Sequence, residues 1–331
     1  MTPVKDTRVP EPATQLLSVI VPAYNEQEVL PEFHRRLCAV LDTVPMAAEI
    51  IYVNDGSQDE TLAELQRLRE QDARVAVLDL SRNFGKEIAL SAGLQHAGGD
   101  VVVVIDADLQ DPPELIPEFI TQWQAGYDVV YAQRTRREGE TWIKKATASA
   151  FYRLMQRIGH VKLPQDTGDF RLLSRRAVEA LNTLSEQHRF MKGLFAWIGF
   201  HQKAIPYERD ARFAGDTKWN YWKLWNFAIE GITSFTIAPL KFATYLGLLT
   251  ALGAFIFGIY TIVKTLIFGN PVPGYPSIIV IMLFLGGVQL MAIGVLGEYI
   301  GRIFTESKRR PLYFLNEYLP PRASDNKSDQ G

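Results

Sequence analysis

Two stretches of this 331-residue chain, Phe242–Val263 and Ser277–Gly297, contain no charged residue, and they limit its fold more than any other feature. As a helix, each is long enough to cross about 30 Å of hydrocarbon, which takes roughly 20 apolar residues. Core helices of soluble proteins are a poor alternative, because they average only about 11–12 residues. Charge around the runs sets an expected orientation. The loop Gly269–Pro276 lacks Lys and Arg, whereas Lys241 precedes the first run and Arg302, Lys308, Arg309 and Arg310 follow the second. The positive-inside rule therefore places both chain ends in the cytosol, and the expected location is an inner, cytoplasmic membrane spanned twice.

The rest of the chain has its own apolar supply, since hydrophobic residues make up 47% of the whole. One cysteine, Cys38, rules out an internal disulfide and suits a reducing compartment. No signal peptide is expected: residues 1–16 are polar and rich in Pro and Thr, and Leu16–Val21 is too short for an apolar core. A net charge of -2 gives no support to nucleic-acid binding.

Between Leu17 and Ala132, short β-branched runs alternate with amphipathic stretches, as in βαβ units around a parallel sheet. Strands are expected at Leu17–Val21, Glu49–Asn54, Val75–Leu80, Val101–Ile105 and Val129–Ala132. Helices are expected near Glu26–Leu41, Asp59–Arg69, Lys86–His96 and Glu114–Gln124. Two further helices, Trp142–Gly159 and Trp219–Ile237, have interfacial composition, the second through Trp219, Trp222 and Trp225. The expected division is a flexible N-terminus (1–16), an α/β domain (17–140), a region with interfacial helices (141–240), a two-helix transmembrane domain (241–303) and a cytoplasmic tail (304–331), with Pro320–Gly331 disordered.

Ligands of open parallel sheets bind beyond the carboxyl ends of the strands. Four successive strand ends here are polar: Pro22-Ala-Tyr-Asn-Glu26, Asp55-Gly-Ser57, Arg82-Asn-Phe-Gly85 and Asp106-Ala-Asp108. One such end is ordinary turn chemistry, whereas four in a row point to a site. Asp106 and Asp108 suit a divalent cation that leaves positions free for diphosphate oxygens. Asp55 suits either a hydrogen bond from a base N–H or a cap on the helix near Asp59. Neither Gly-x-Gly-x-x-Gly nor a P-loop occurs, which removes the Rossmann and P-loop readings.

The series Ser18-Val-Ile-Val-Pro-Ala-Tyr-Asn-Glu26, Val53-Asn-Asp-Gly-Ser57 and Asp106-Ala-Asp-Leu-Gln-Asp-Pro-Pro113 resembles the inverting family 2 glycosyltransferases. Ser81–Glu87, Thr167–Leu172, Phe190–Gly193, Asp216–Lys218, Lys223–Asn226 and Gly297–Arg302 are similar to its polyprenyl-phosphate branch, the bactoprenol glucosyltransferases above all and dolichol-phosphate mannose synthase more distantly. The resemblance covers roughly residues 16 to 315. It implies a GT-A-like, mostly parallel α/β domain and a hexose transferred, with glucose from UDP-glucose as the best match, to undecaprenyl phosphate.

By the same resemblance, Pro22, Tyr24, Glu26 and Asp55 line the base pocket, and Lys86 and Gln110 join the donor site. Asp106 and Asp108 hold Mg²⁺ or Mn²⁺, and Arg212 and Lys218 belong to a mobile basic loop. Arg134, Lys144, Lys145 and Ser149 meet the acceptor phosphate, and Asp169 is the acceptor-side carboxylate, catalytic together with Asp108. Asp169 serves to orient the acceptor or as its base, or else as a structural partner of Arg171 or a helix cap. Other sugars (mannose, N-acetylglucosamine or an aminoarabinose) and a non-catalytic nucleotide-sugar-binding scaffold are the alternatives. A processive synthase is disfavoured, because Gln-x-x-Arg-Trp is absent. Gly297-x-x-x-Gly301 suits either self-association or packing of one span on the other. Synthesis on the cytosolic side implies a separate flippase.

Overall fold

Alternation of period two is what builds this sheet. Along each central strand, odd residues pack on one face and even residues on the other. In the computed structural model, which describes residues 15–135, 167–187, 189–208, 238–269 and 274–322, the two sets form two separate cores. Strands β1 (Leu16–Ala23), β2 (Ala47–Asn54), β3 (Val75–Leu80) and β4 (Val101–Val104) run parallel. On one face, Val19, Tyr52, Val77 and Val103 meet Phe33 and Leu37 of α1 (Leu30–Leu41), Leu65 of α2 (Thr61–Gln71) and Phe119 of α4 (Ile116–Gln124). On the other, Ile20, Val53, Leu78 and Val104 meet Leu90 of α3 (Lys86–His96), Val178 of α5 (Arg175–Thr183) and Phe195 of α6 (Met191–Trp197).

Eight strands in the order β7-β5-β6-β4-β1-β2-β3-β8 make the sheet. Strand β5 (Val129–Arg134) lies parallel to β7 (Gln202–Tyr207). Between β4 and β5, antiparallel to both, runs β6 (Thr167–Ser174), which is buried along its whole length. The far edge is closed by β8 (Leu315–Leu319), antiparallel to β3. The mostly parallel α/β class expected from the sequence is thus observed, but the sheet also takes β6 and β7 from the segment 141–240 and β8 from the tail, beyond the expected α/β domain.

Helix α1 starts at Leu30 rather than Glu26, with Pro31 in its first turn, because residues 25–29 form the loop that follows β1. The expected interfacial helices Trp142–Gly159 and Trp219–Ile237, with Lys144, Lys145, Ser149, Arg212 and Lys218, lie outside the described residues, as do 1–14 and 323–331.

Helix α3 crosses β1 closely. A Cβ on Gly93 would stand 2.3 Å from Ile20 Cγ2, and Ile20 is a fully buried, β-branched residue that cannot step aside. Gly93→Ala is expected to cost about 1–3 kcal/mol despite its better helix propensity, seen as a lower midpoint of thermal unfolding. An unchanged or higher midpoint would show that the contact relaxes freely.

Two helices, α7 (Ala238–Phe268) and α8 (Tyr275–Ser307), contain the apolar runs. Both are long and apolar enough to cross a membrane, with mean hydropathy of 2.1 and 2.2, and their most apolar stretches are not buried in the protein. A protein carrying this much unburied apolar surface associates with membranes. A Cβ on Gly297 or Gly301 would meet nothing within 4 Å, so α7 and α8 do not use these glycines to pack together.

Candidate active site

The carboxyl ends of β1, β2 and β4 converge with the start of β6, and each contributes through its own turn. After β1, Asn25 takes a left-handed φ of 55°, its N–H donates to Ser57 Oγ (3.1 Å), and its Oδ1 accepts from Gln58 N–H (2.9 Å). These bonds fasten the Tyr24–Glu26 turn to the loop after β2. Tyr24 is 41% exposed there, open to stack on a flat ring, while Pro22 and Glu26 are half-buried beside it.

Asp55 is only 3% exposed. Its Oδ1 accepts from Phe84 N–H (2.7 Å) and its Oδ2 from Gly85 N–H (2.9 Å). Burial raises its carboxyl above the usual range, against the pull of those two N–H groups. The carboxylate therefore clamps the loop before α3 and does not cap α2; a base N–H would share its remaining lone pairs. Gly56 makes the clamp possible. Its φ is +62°, and a Cβ would lie 2.4 Å from the backbone of Arg82 and Asn83.

The Phe84–Gly85 clamp aims Lys86, the first residue of α3. Its Nζ donates to Asp106 Oδ2 (2.7 Å) and to Asp169 Oδ2 (2.5 Å), joining the end of β4 to the third residue of β6. Burial opposes the lysine's charge, but the two carboxylates outweigh it and hold the ammonium above the usual range. Burial likewise opposes the charge on Asp169, and Lys86, Lys192 and Arg171 overcome it, so this carboxyl stays well below the usual range. Asp169 Oδ1 is buried and has no hydrogen-bond partner among the described residues.

Asp106 and Asp108 stand two residues apart on the turn after β4, both half-buried. Asp108 Oδ1 accepts from Gln110 N–H (3.2 Å), and the turn is shaped by Leu109 at φ 58°. Two partly exposed carboxylates offer the hard oxygen donors that Mg²⁺ or Mn²⁺ takes, so the residues fit such an ion. Gln110 contributes its backbone N–H to this turn.

Around the start of β6, Arg171 and Arg134, both named from the sequence, have partners that the sequence reading did not reveal. Arg171 is fully enclosed: it donates to Gly168 O (2.8 Å) and Asp169 O (3.2 Å) and lies over the Phe195 ring at 3.8 Å. Burial brings its guanidinium down to about 10. Arg171 thus holds the backbone of Asp169, while Lys86 holds the carboxylate. Arg134 Nε approaches Tyr207 Oη (3.4 Å), which donates a short hydrogen bond to buried Asp111. Gly168 leaves room for this group, since a Cβ there would stand 3.3 Å from Arg134 Nη2.

Known proteins resemble the chain at both levels. The model for glycosyl transferase family 2 matches residues 18–181, and that for the GtrB C-terminal hairpin matches residues 238–303. A glycosyltransferase of Synechocystis sp. is 52% identical over 309 residues, covering 92% of this chain and 97% of the relative. The bactoprenol glucosyl transferase of Shigella phage SfV is 50% identical over 299 residues, 90% of this chain and 97% of the relative. The chain belongs to glycosyltransferase family 2. Among solved structures, mannosyl-3-phosphoglycerate synthase from Rubrobacter xylanophilus aligns over 65% of this chain and 71% of its own, with 19% identity and a TM-score of 0.45.

In this glycosyltransferase the strand-end carboxylates have a neighbour that the motifs did not reveal. Glu87 follows Lys86, and its Oε2 accepts from Met191 N–H (3.2 Å). Burial and the nearby Asp169 push it up to about 7, against Lys86 and Lys192. A carboxyl raised above its unfolded value of about 4.5 binds more protons when folded, so its contribution is present below that pH and is lost as pH rises through 7. Glu87→Gln keeps the bond to Met191 and should flatten the stability profile between pH 4.5 and 7. Unfolding midpoints that fall equally in both proteins over that window would refute this.

Proposed function

We propose that this glycosyltransferase moves glucose from UDP-glucose to undecaprenyl phosphate at the cytoplasmic face of a membrane, inverting the sugar's configuration. The observation that carries the reading is the Lys86 bridge, which ties a donor-side carboxylate, Asp106, to a buried acceptor-side carboxylate, Asp169. The names of the phage relatives support glucose as the sugar and bactoprenol as the carrier.

The Tyr24 ring and the Asp55 turn receive the base, with Pro22 and Glu26 beside them, and Asp106 and Asp108 with Gln110 face the diphosphate. A Mg²⁺ or Mn²⁺ held by Asp106 and Asp108 neutralises charge on the departing nucleotide when bound. An oxygen of the lipid phosphate forms the new bond to C1 as the bond from C1 to the diphosphate breaks, so an α-linked donor yields a β-linked lipid phosphosugar. A phosphate monoester is already largely ionised at neutral pH, with a second pKa of about 6, so Asp169 orients the acceptor rather than deprotonating it. Arg134 meets the acceptor phosphate, joined by Lys144, Lys145 and Ser149, while Arg212 and Lys218 close over the donor. Both chain ends lie in the cytosol, a separate flippase carries the product across, and Gly297 and Gly301 provide a face for self-association.

Transfer of radiolabel from a panel of nucleotide sugars to undecaprenyl phosphate by the purified chain, with divalent cation and with chelator, tests the proposal. Labelling from UDP-glucose alone, lost on chelation and restored by Mg²⁺ or Mn²⁺, is the expected result. Labelling from a different donor would replace glucose, and nucleotide binding with no transfer from any donor would leave a scaffold.

A further inference from the structure

Helix α1 places His34 and Cys38 one turn apart on one face, and Asp72, the C-cap of α2, reaches the same point from the turn before β3. His34 Nε2 and Cys38 Sγ are 3.4 Å apart, Cys38 Sγ and Asp72 Oδ2 are 3.4 Å apart, and His34 Nε2 and Asp72 Oδ2 are 3.8 Å apart. A tetrahedral ion with bonds of about 2.0–2.3 Å spaces its ligand atoms about 3.3–3.8 Å from one another. The triangle matches that spacing on all three sides.

The surroundings are those of a ligand set. The other ring nitrogen, His34 Nδ1, lies 3.0 Å from the hydroxyl of fully buried Tyr52, an outer partner that can accept from Nδ1–H and holds the ring with Nε2 facing the cluster. Burial lowers the histidine below its usual range, against Asp72, which keeps the ring neutral. Arg74 holds both oxygens of Asp72, Oδ1 through its backbone N–H (2.8 Å) and Oδ2 through Nε (3.0 Å) and Nη2 (2.8 Å), and its Nη1 reaches Asp42 (2.7 Å), so an ion would share Oδ2 with the guanidinium. The cluster opens on a groove of about 800 Å³ whose walls include Arg35, Arg67 and Gln71. Burial pushes the Cys38 thiol up to about 12, which argues against a reactive thiolate in the metal-free protein.

We propose that His34, Cys38 and Asp72 form a second cation site, for a borderline-soft divalent metal of the Zn²⁺ class, with its fourth position open to the groove. Mixed nitrogen, sulfur and oxygen donors select such an ion over Mg²⁺ or Mn²⁺. Asp72 precedes the start of β3 whereas Asp106 and Asp108 follow the end of β4, so the two sites lie at opposite ends of the parallel strands. An ion here would pin α1 to the α2–β3 turn, beneath the base pocket rather than within it.

Cobalt(II) gives the test, because its thiolate charge-transfer absorption reports sulfur ligation directly. The full-length protein in detergent, stripped by chelator, is titrated with Co²⁺. With a single cysteine in the chain, any such band belongs to Cys38. We expect a band that saturates at one equivalent, is bleached by Zn²⁺, survives excess Mg²⁺ and remains in Asp106→Asn. Tyr52→Phe, which removes the outer hydroxyl and no ligand, should weaken Co²⁺ binding by about 10–100-fold. Absence of a thiolate band in the wild-type protein would overturn the proposal without recourse to any variant. So would a band of unchanged affinity in both His34→Gln and Asp72→Asn, which would mark a lone thiol collecting metal.

Discussion

Asp169→Asn is expected to lower sugar transfer by about 10²–10³-fold while leaving nucleotide binding nearly unchanged. The amide fills the same space, so β6 and the Arg171 bonds to its backbone persist. What disappears is the charge that Lys86 and Lys192 stabilise at the acceptor end. Asn would also turn a donor or a neutral oxygen toward the Lys86 ammonium. Transfer measured at saturating donor, together with the donor dissociation constant, separates the two readouts. A variant with more than about a tenth of wild-type turnover would make Asp169 a structural residue.

Lys86→Met should have a comparable effect by a different route. The ammonium holds Asp106 and Asp169 to one atom, and without it two carboxylates face each other with burial acting on one of them. Lys192 and Arg171 then oppose burial at Asp169 without the lysine's help, its affinity for a proton rises, and the acid limb of the pH–rate profile moves to higher pH. Turnover near neutral pH should fall by about 10²-fold or more. Arg is a poor substitute, because a planar guanidinium cannot place one nitrogen between both oxygens. The decisive comparison is the profile's shape: a Lys86→Met enzyme slower at every pH by one constant factor would mean that the lysine contacts substrate without setting the state of Asp169.

The first half of the fold was legible because β1–β5 alternate with helices whose starts carry turn residues. Lys86–His96 and Val75–Leu80 appear with the expected bounds. Strands β6 to β8 were hidden for separate reasons. In β6, Asp169 and Arg171 interrupt the apolar pattern although all eight residues are buried. In β7, Pro206 speaks against a paired strand, and the strand tolerates it near its end. The five residues of β8 follow a membrane-length helix and a basic turn, where a tail is the natural reading.

Much the same division holds at the candidate site. Polar strand ends and the family pattern pointed to Asp55, Asp106, Asp108 and Asp169. The Lys86 bridge, the Asp55 clamp on Phe84 and Gly85, and the Arg134–Tyr207–Asp111 group depend on how distant strands pair, which no local pattern encodes. One signal was available for the last group: a glycine beside Asp169 leaves space that a side chain from a neighbouring strand can use.

Strand β8 also governs orientation. After α8, the chain turns back within the few residues from Ser307 to Leu315, each spanning at most about 3.6 Å, and zips onto β3. Asn316 Nδ2 donates to Asp79 Oδ2 (3.1 Å), and Asp79 Oδ1 accepts from Asn54, the residue before Asp55. Gln187 N–H donates to Glu306 Oε1 (2.8 Å) at the end of α8 itself. If α7 and α8 cross a membrane, the short return from α8 leashes the β3 edge and makes it the pivot for any rocking of the sheet over the bilayer. Such rocking raises or lowers the opposite edge, beyond β4, far more than the base pocket. The donor would ride near the fulcrum while the acceptor side sweeps through depth, so a chain nicked between Ser307 and Leu315 would keep its catalytic side chains yet lose the lever that presents them to the lipid.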